Sequence, residues 1–188
     1  MHRTSKTVGG AALALLVLGG ACGSTEDSKA AGTTTKASAT PASTGAAKEL
    51  KITGVDYDYD GVPKKVAAGT VVSFTNASTK EVHEVAVLRV KDGETRPLAT
   101  LLALPEAEQE TAAEFRGIAI ALPGKPTVTP RGPVTLDQPG RYILLCNIPT
   151  GADPAAYEEA MKKPGPPPSI PGGPPHFKKG MVAELTVG

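Results

Sequence analysis

Two stretches near the end of the chain carry side chains that could hold a redox metal. PGRYILLCNIP (Pro139 to Pro149) contains Cys146, and HFKKGM contains His176 and Met181, five positions apart. A second imidazole, His83, lies upstream. Copper cycling between two oxidation states is served by two nitrogen donors, one thiolate and a weak thioether. His83, Cys146, His176 and Met181 make up that set. The inventory sharpens it. Of the 3 histidines only His2 lies elsewhere, and the second of the 2 cysteines is Cys22. Each side chain also has a plainer reading. Cys146 would serve as a small buried hydrophobe. His83, in phase with Val85 and Val87, would serve as a hydrogen-bonded core histidine. His176 would pack a loop beside Phe177, and Met181 would fill the core.

Short strands must position these groups. Leu50 to Asp58 leans towards apolar/polar alternation, Lys64 to Ala67 is a brief extended segment, and Thr70 to Thr75 is rich in β-branched residues. A turn cluster, Asn76 to Thr79, precedes Val82 to Val90, which alternates well and holds His83. Val134 to Leu136 and Arg141 to Cys146 flank the turn Asp137-Gln138-Pro139-Gly140, and Met181 to Val187 closes the chain. Turn signals between short strands predict a sandwich or barrel. Leu98 to Phe115 has near-helical spacing interrupted by Pro105, which predicts one or two short helices. Pro123 to Pro133 reads as a loop. Asp153 to Lys163 predicts a helix, with Asp153 as cap and Pro154 in the first turn. In Pro164 to Pro175, 7 of 12 residues are proline, which excludes a helix or an interior strand.

The order of these pieces resembles the cupredoxin family, the blue copper proteins of plastocyanin and azurin type. VDYDYDGVPKKVAAGTVVSFTNASTKEVHEVAV, PGRYILLCNIP and HFKKGMVAELTV carry the resemblance. It implies an all-β, Greek-key β-sandwich with short helical insertions over residues 48–188, and one type 1 copper. Its ligands would be His83, Cys146, His176 and Met181. The electron is expected to leave by an exposed edge of His176, near Ile148, Pro149 and Phe177. Two departures stand out. The family places only a few residues between cysteine and histidine, whereas Asn147 to Pro175 intervene here. The residue after the first histidine is often Asn, and here it is Glu84, whose negative charge would either favour positive copper or pair with His83 in place of a metal.

Residues 1–21 read as an export signal: Arg3 and Lys6, then an apolar run from Val8 to Leu18, then small residues. That run is too short to span a bilayer. Ending at Cys22, it resembles a bacterial lipoprotein signal, with Gly19 where leucine is usual. The resemblance implies a diacylglyceryl thioether and a fatty acyl (palmitate-type) amide on Cys22, and a cell-membrane location on the extracytoplasmic side. The other reading is an ordinary secretory signal. Residues 22–47 are a Ser/Thr/Ala/Gly tract that cannot bury enough apolar surface to fold, so a tether spanning roughly 25–30 Å is expected.

The net charge of +1 becomes −1 without Arg3 and Lys6, leaving 18 basic against 19 acidic residues, and no basic cluster suggests a nucleic-acid partner. In an exported domain Cys146 has no partner for a disulfide, which a metal would explain. Asp56, Asp58 and Asp60 read as a solvated strand face. No nucleophile–base pairing or Gly-rich nucleotide loop points to an enzyme. The expectation is a membrane-tethered copper protein passing single electrons to a redox protein partner. The alternatives are a metal-free binding module working through residues 153–175, or a copper chaperone or store.

Overall fold

Among the described residues nine strands and three short α-helices form, with strand pairing that joins residues far apart in the chain. The structure is a computed structural model and describes residues 48–163 and 168–188. The export signal, Cys22, the 22–47 tether and residues 164–167 of the proline run lie outside these. The strands are β1 (Glu49–Val55), β2 (Asp58–Asp60), β3 (Lys65–Val66), β4 (Thr70–Asn76), β5 (His83–Val90), β6 (Ala113–Ala121), β7 (Thr135–Leu136), β8 (Gly140–Leu145) and β9 (Val182–Val187). The helices are α1 (Leu98–Leu102), α2 (Glu106–Ala112) and α3 (Pro154–Met161). One sheet runs β2-β1-β4-β7 and the other β3-β9-β8-β5-β6. The expected all-β sandwich with short helical insertions is what forms.

The sandwich interior follows from period-2 alternation. Leu50 and Ile52 of β1 and Val72 and Phe74 of β4 face Val85 and Val87 of β5 and Leu144 of β8, all buried. Val87 sits directly opposite Leu144 in the β5–β8 ladder. The second sheet is apolar on its other face too. Leu88, Ile143 and Leu145 meet Leu101, Leu102 and Ala112 of α1 and α2. The two helices therefore roof one end of that face.

Two elements differ from the sequence reading. Leu50 to Asp58 is not one strand: Tyr57 turns the chain with φ 66°, and β2 folds back antiparallel on β1. The helix expected as far as Phe115 ends at Ala112, where the chain extends into β6. There, long-range pairing with β5 overrides local propensity. The α3 helix starts as read: Asp153 accepts a hydrogen bond from Ala156 N (2.8 Å), and proline fills the first turn.

Candidate metal centre

His83 is set by the turn before it. The Asn76 side-chain amide donates to the carbonyls of Glu81 (2.9 Å) and Ala121 (2.8 Å), and its Oδ1 accepts from Ser78 N (2.8 Å). Ser78 Oγ accepts from Glu81 N (2.9 Å). These bonds fix the entry into β5, so its first residue points inward with Val85 and Val87. Ala86 opposite Leu145 then brings the end of β8, and Cys146 after it, beside Glu84. The Glu84 N–H lies 3.5 Å from Cys146 Sγ and donates to it.

His176 returns to that sulfur through a hydrogen-bonded neck. Phe177 N donates to Cys146 O (2.9 Å), His176 N to Ile148 O (3.0 Å), Thr150 N to Pro174 O (3.1 Å) and Gly173 N to Thr150 O (2.8 Å). The Thr150 hydroxyl adds a bond to Pro174 O (2.7 Å). Gly172 is needed at this neck, because a Cβ there would stand 2.7 Å from Pro149 Cβ and 2.8 Å from Thr150 O. A 3₁₀ turn, His176–Lys179, ends at Gly180 (φ 117°) and brings Met181 N to His176 O (3.1 Å), while Cys146 N donates to Met181 O (3.2 Å). Local ladder bonds thus replace the short loop that the family resemblance implied.

The donor atoms converge. His83 Nδ1 lies 3.2 Å from His176 Nδ1, and Cys146 Sγ lies 3.4 Å from His176 Nδ1. The three donors fall within 4.8 Å of one another, and all three residues are fully buried. Donors bound about 2.0–2.3 Å from one shared ion stand roughly 3.2–3.8 Å apart, so this spacing fits a single metal. Met181 is also buried, and its methyl group and His83 Cβ crowd the same space over Gly54. A Cβ on Gly54 would lie 3.1 Å from the first and 3.2 Å from the second.

Each imidazole keeps its outer nitrogen towards an acid. Glu81 Oε2 is 3.4 Å from His176 Nε2, and Asp56 Oδ1 is 3.6 Å from His83 Nε2. Neither contact has hydrogen-bond alignment, and both Nε2 atoms lack a hydrogen-bond partner among the described residues. Metal on Nδ1 would make Nε2–H a donor on the side where these carboxylates stand. Glu81 is held ready, accepting from Tyr57 OH (3.2 Å) and Gly151 N (3.0 Å).

Burial dominates the electrostatics. It holds both imidazoles below the ordinary histidine range, with the His83 charge adding to the effect on His176. Burial, then the Glu84 charge, pushes the Cys146 thiol up to about 12. Burial raises Glu84 to about 7, opposed by hydrogen bonds from Asn147. Without metal at neutral pH, the site holds two neutral imidazoles and a thiol.

The structure brings His83, Cys146 and His176 together and sets Met181, with His83, against Gly54. Cys22 lies outside the described residues. Two expectations are corrected. His176 has no exposed edge, because Tyr57 stands edge-on over its ring. Glu84 does not pair with His83. It points out of the sandwich, and its Oε1 accepts from Asn147 N (3.0 Å). The sequence reading missed Tyr57, Glu81 and Gly54 as neighbours of the site. It also treated Asp56 as wholly solvated. Proximity to the uneven Asn76–Thr79 turn was the one signal for Glu81.

No family model matches this chain, and no curated protein does. Three solved structures are similar. Reduced auracyanin from the photosynthetic bacterium Roseiflexus castenholzii is 20% identical with a TM-score of 0.43, covering 77% of this chain and 99% of its own. Auracyanin A of Chloroflexus aurantiacus, a "blue" copper protein, is 18% identical with a TM-score of 0.38, over 74% and 98%. Auracyanin B is 14% identical with a TM-score of 0.36, over 76% and 89%. The metal reading rests on the donor geometry and not on these similarities.

Proposed function

We propose that this chain is a cupredoxin-like electron carrier with one type 1 copper, tethered by lipid on Cys22 to the extracytoplasmic side of a cell membrane. One observation carries the copper reading: two imidazole Nδ1 atoms and one thiol sulfur from three separate segments converge in a dry pocket. Two imidazoles, a thiolate and a soft thioether beside them suit copper better than zinc, which favours four strong ligands. His83, Cys146 and His176 would hold the ion, with Met181 as the weak fourth contact. Bound copper would supply a one-electron couple.

The chain's own part is to hold and shield. The β5–β8 ladder and the neck fix the donors from independent backbone bonds, so their spacing is set before metal arrives. The Glu84 N–H directed at the sulfur stabilises its charged form. Full burial excludes water and protects the thiol from oxidation outside the cell. Glu81 and Asp56 stand ready to orient the rings.

The test is to add Cu(II) to the metal-free chain and record the visible spectrum. A thiolate-to-copper charge-transfer band is expected, reversibly bleached by reductant and absent in Cys146→Ser. No band and no rise in melting temperature would overturn the reading, while exchangeable Cu(I) without a reversible coloured state would assign a copper store instead. The tether is tested separately. Cys22→Ala should release the chain from the membrane fraction.

A further inference from the structure

We propose that a cavity of about 810 Å3 on the outer face of the second sheet binds a neutral, apolar molecule that presents a hydroxyl group to Glu84. Strand β5 sends His83, Val85 and Val87 into the sandwich and Glu84, Ala86 and Leu88 the other way. On an exposed antiparallel face that second set would be polar. Here Ala86 and Leu88 continue into Ile118, Ile120 and Leu122, and α3 lowers Tyr157 and Met161 over them. The helices α1 and α2 cover the far end of the face, and among the described residues this part is left as a chamber. Its size and apolar walls are those of a small-molecule site.

One polar group marks its floor. Glu84 is only 3% exposed, yet it lines the chamber. Among the described residues only Asn147 donates to its carboxyl group, which has capacity for more. One donor offsets only part of the cost of burying a carboxyl beside an apolar chamber, and a second would offset more. Charge selects the class of ligand. Of four cations at the mouth, Lys125 pairs with Glu158 (3.6 Å), Lys162 with Glu159 (2.8 Å), and Arg131 stacks 5.3 Å over the Phe115 ring. Among the described residues Lys163 alone remains, which gives an anion little to bind. An amine would have to give up its own hydration to set a charge against the buried Glu84 carboxyl, a cost that offsets much of the attraction. A neutral hydroxyl satisfies the Glu84 carboxyl in either protonation state, and its apolar body fills the walls.

This site stands apart from the copper reading and is tested without metal. The metal-free full-length chain is titrated with 4-hexylphenol and with hexylbenzene, which differ only in the hydroxyl, using calorimetry. Saturable binding of one phenol per chain is expected, with hexylbenzene at least tenfold weaker. Ala160→Phe, which fills the chamber from α3, should weaken the phenol at least tenfold while the circular dichroism and melting temperature hold. Glu84→Leu should erase the difference between the probes. No saturable binding to the folded chain, equal binding of the two probes, or phenol affinity unchanged in Ala160→Phe would each overturn the proposal.

Discussion

Tyr57 stands edge-on to His176, with ring centroids 5.0 Å apart and planes at 77°. The tyrosine is half-buried, its hydroxyl donates to Glu81, and Lys179 Nζ lies 4.5 Å over its ring. It takes the place that water would otherwise hold against the imidazole. Burial is the main force holding His176 below the ordinary histidine range. Tyr57→Ala should therefore raise the His176 pKa in the metal-free protein. An imidazole proton NMR titration reads this directly, and an unmoved His176 would mean that other walls keep the ring dry.

Gly54 leaves room for both the Met181 methyl group and the His83 Cβ, which would stand 3.1 and 3.2 Å from a Cβ there. A Cβ at this position would also stand 2.9 Å from Phe74 Cζ, tighter than a real contact allows. Gly54→Ala should cost about 1–3 kcal/mol as the core gives way. It should also displace Met181 or His83 and shift the visible band of the copper-loaded chain. Chemical denaturation and the spectrum check the two effects separately, and an unchanged spectrum would exclude Met181 from the site.

Metal uptake should be coupled to protons in a defined number. At pH 7 the Cys146 thiol, at about 12, is protonated, and both imidazoles, held low by burial, are neutral. Binding as thiolate must then release about one proton per ion. Affinity should rise about tenfold per pH unit between pH 7 and 9. Calorimetry in buffers of different ionisation enthalpy counts the protons, and a count near zero would leave Cys146 outside the site.

Glu84 makes the metal-free fold less stable in base. Its carboxyl is raised from 4.5 in the unfolded chain to about 7 in the fold. Below pH 4.5 both states are protonated and the group is neutral to stability. Between pH 4.5 and 7 the unfolded chain ionises first, and the fold loses about 3 kcal/mol. Glu84→Gln keeps an acceptor for Asn147 N and removes the charge. The variant should melt several degrees above the parent at pH 8 and level with it at pH 4.5. Equal melting at both pH values would show that the carboxyl is not desolvated in solution.

Much of the site was legible because its residue types are scarce. His2 and Cys22 both precede residue 48, so His83, His176 and Cys146 were the histidines and cysteine left to the domain. The Asn76 turn and the Pro139-Gly140 turn marked strand ends correctly. Strand β6 was missed although Gly117-Ile118-Ala119-Ile120-Ala121 alternates, because the helix-forming residues before it set the expectation and only pairing with β5 decides its start. The turn at Tyr57 was hidden too, since a bulky non-glycine residue with positive φ is uncommon. The return of His176 to Cys146 could not be read at all. It depends on backbone bonds between residues more than twenty positions apart, such as Thr150 with Gly173 and Pro174, and no side-chain pattern records them.

The seam formed by Thr150, Gly173 and Pro174 has a broader consequence. It closes the excursion on itself within one rung of the imidazole, so segments grafted beyond Thr150 change loop-closure entropy only slowly with length. Growth there leaves the donor triangle undisturbed. The α3 helix, one wall of the outer chamber, sits on this insulated annex. A chain built this way can acquire or exchange a second recognition capacity while its three buried donors stay as they were.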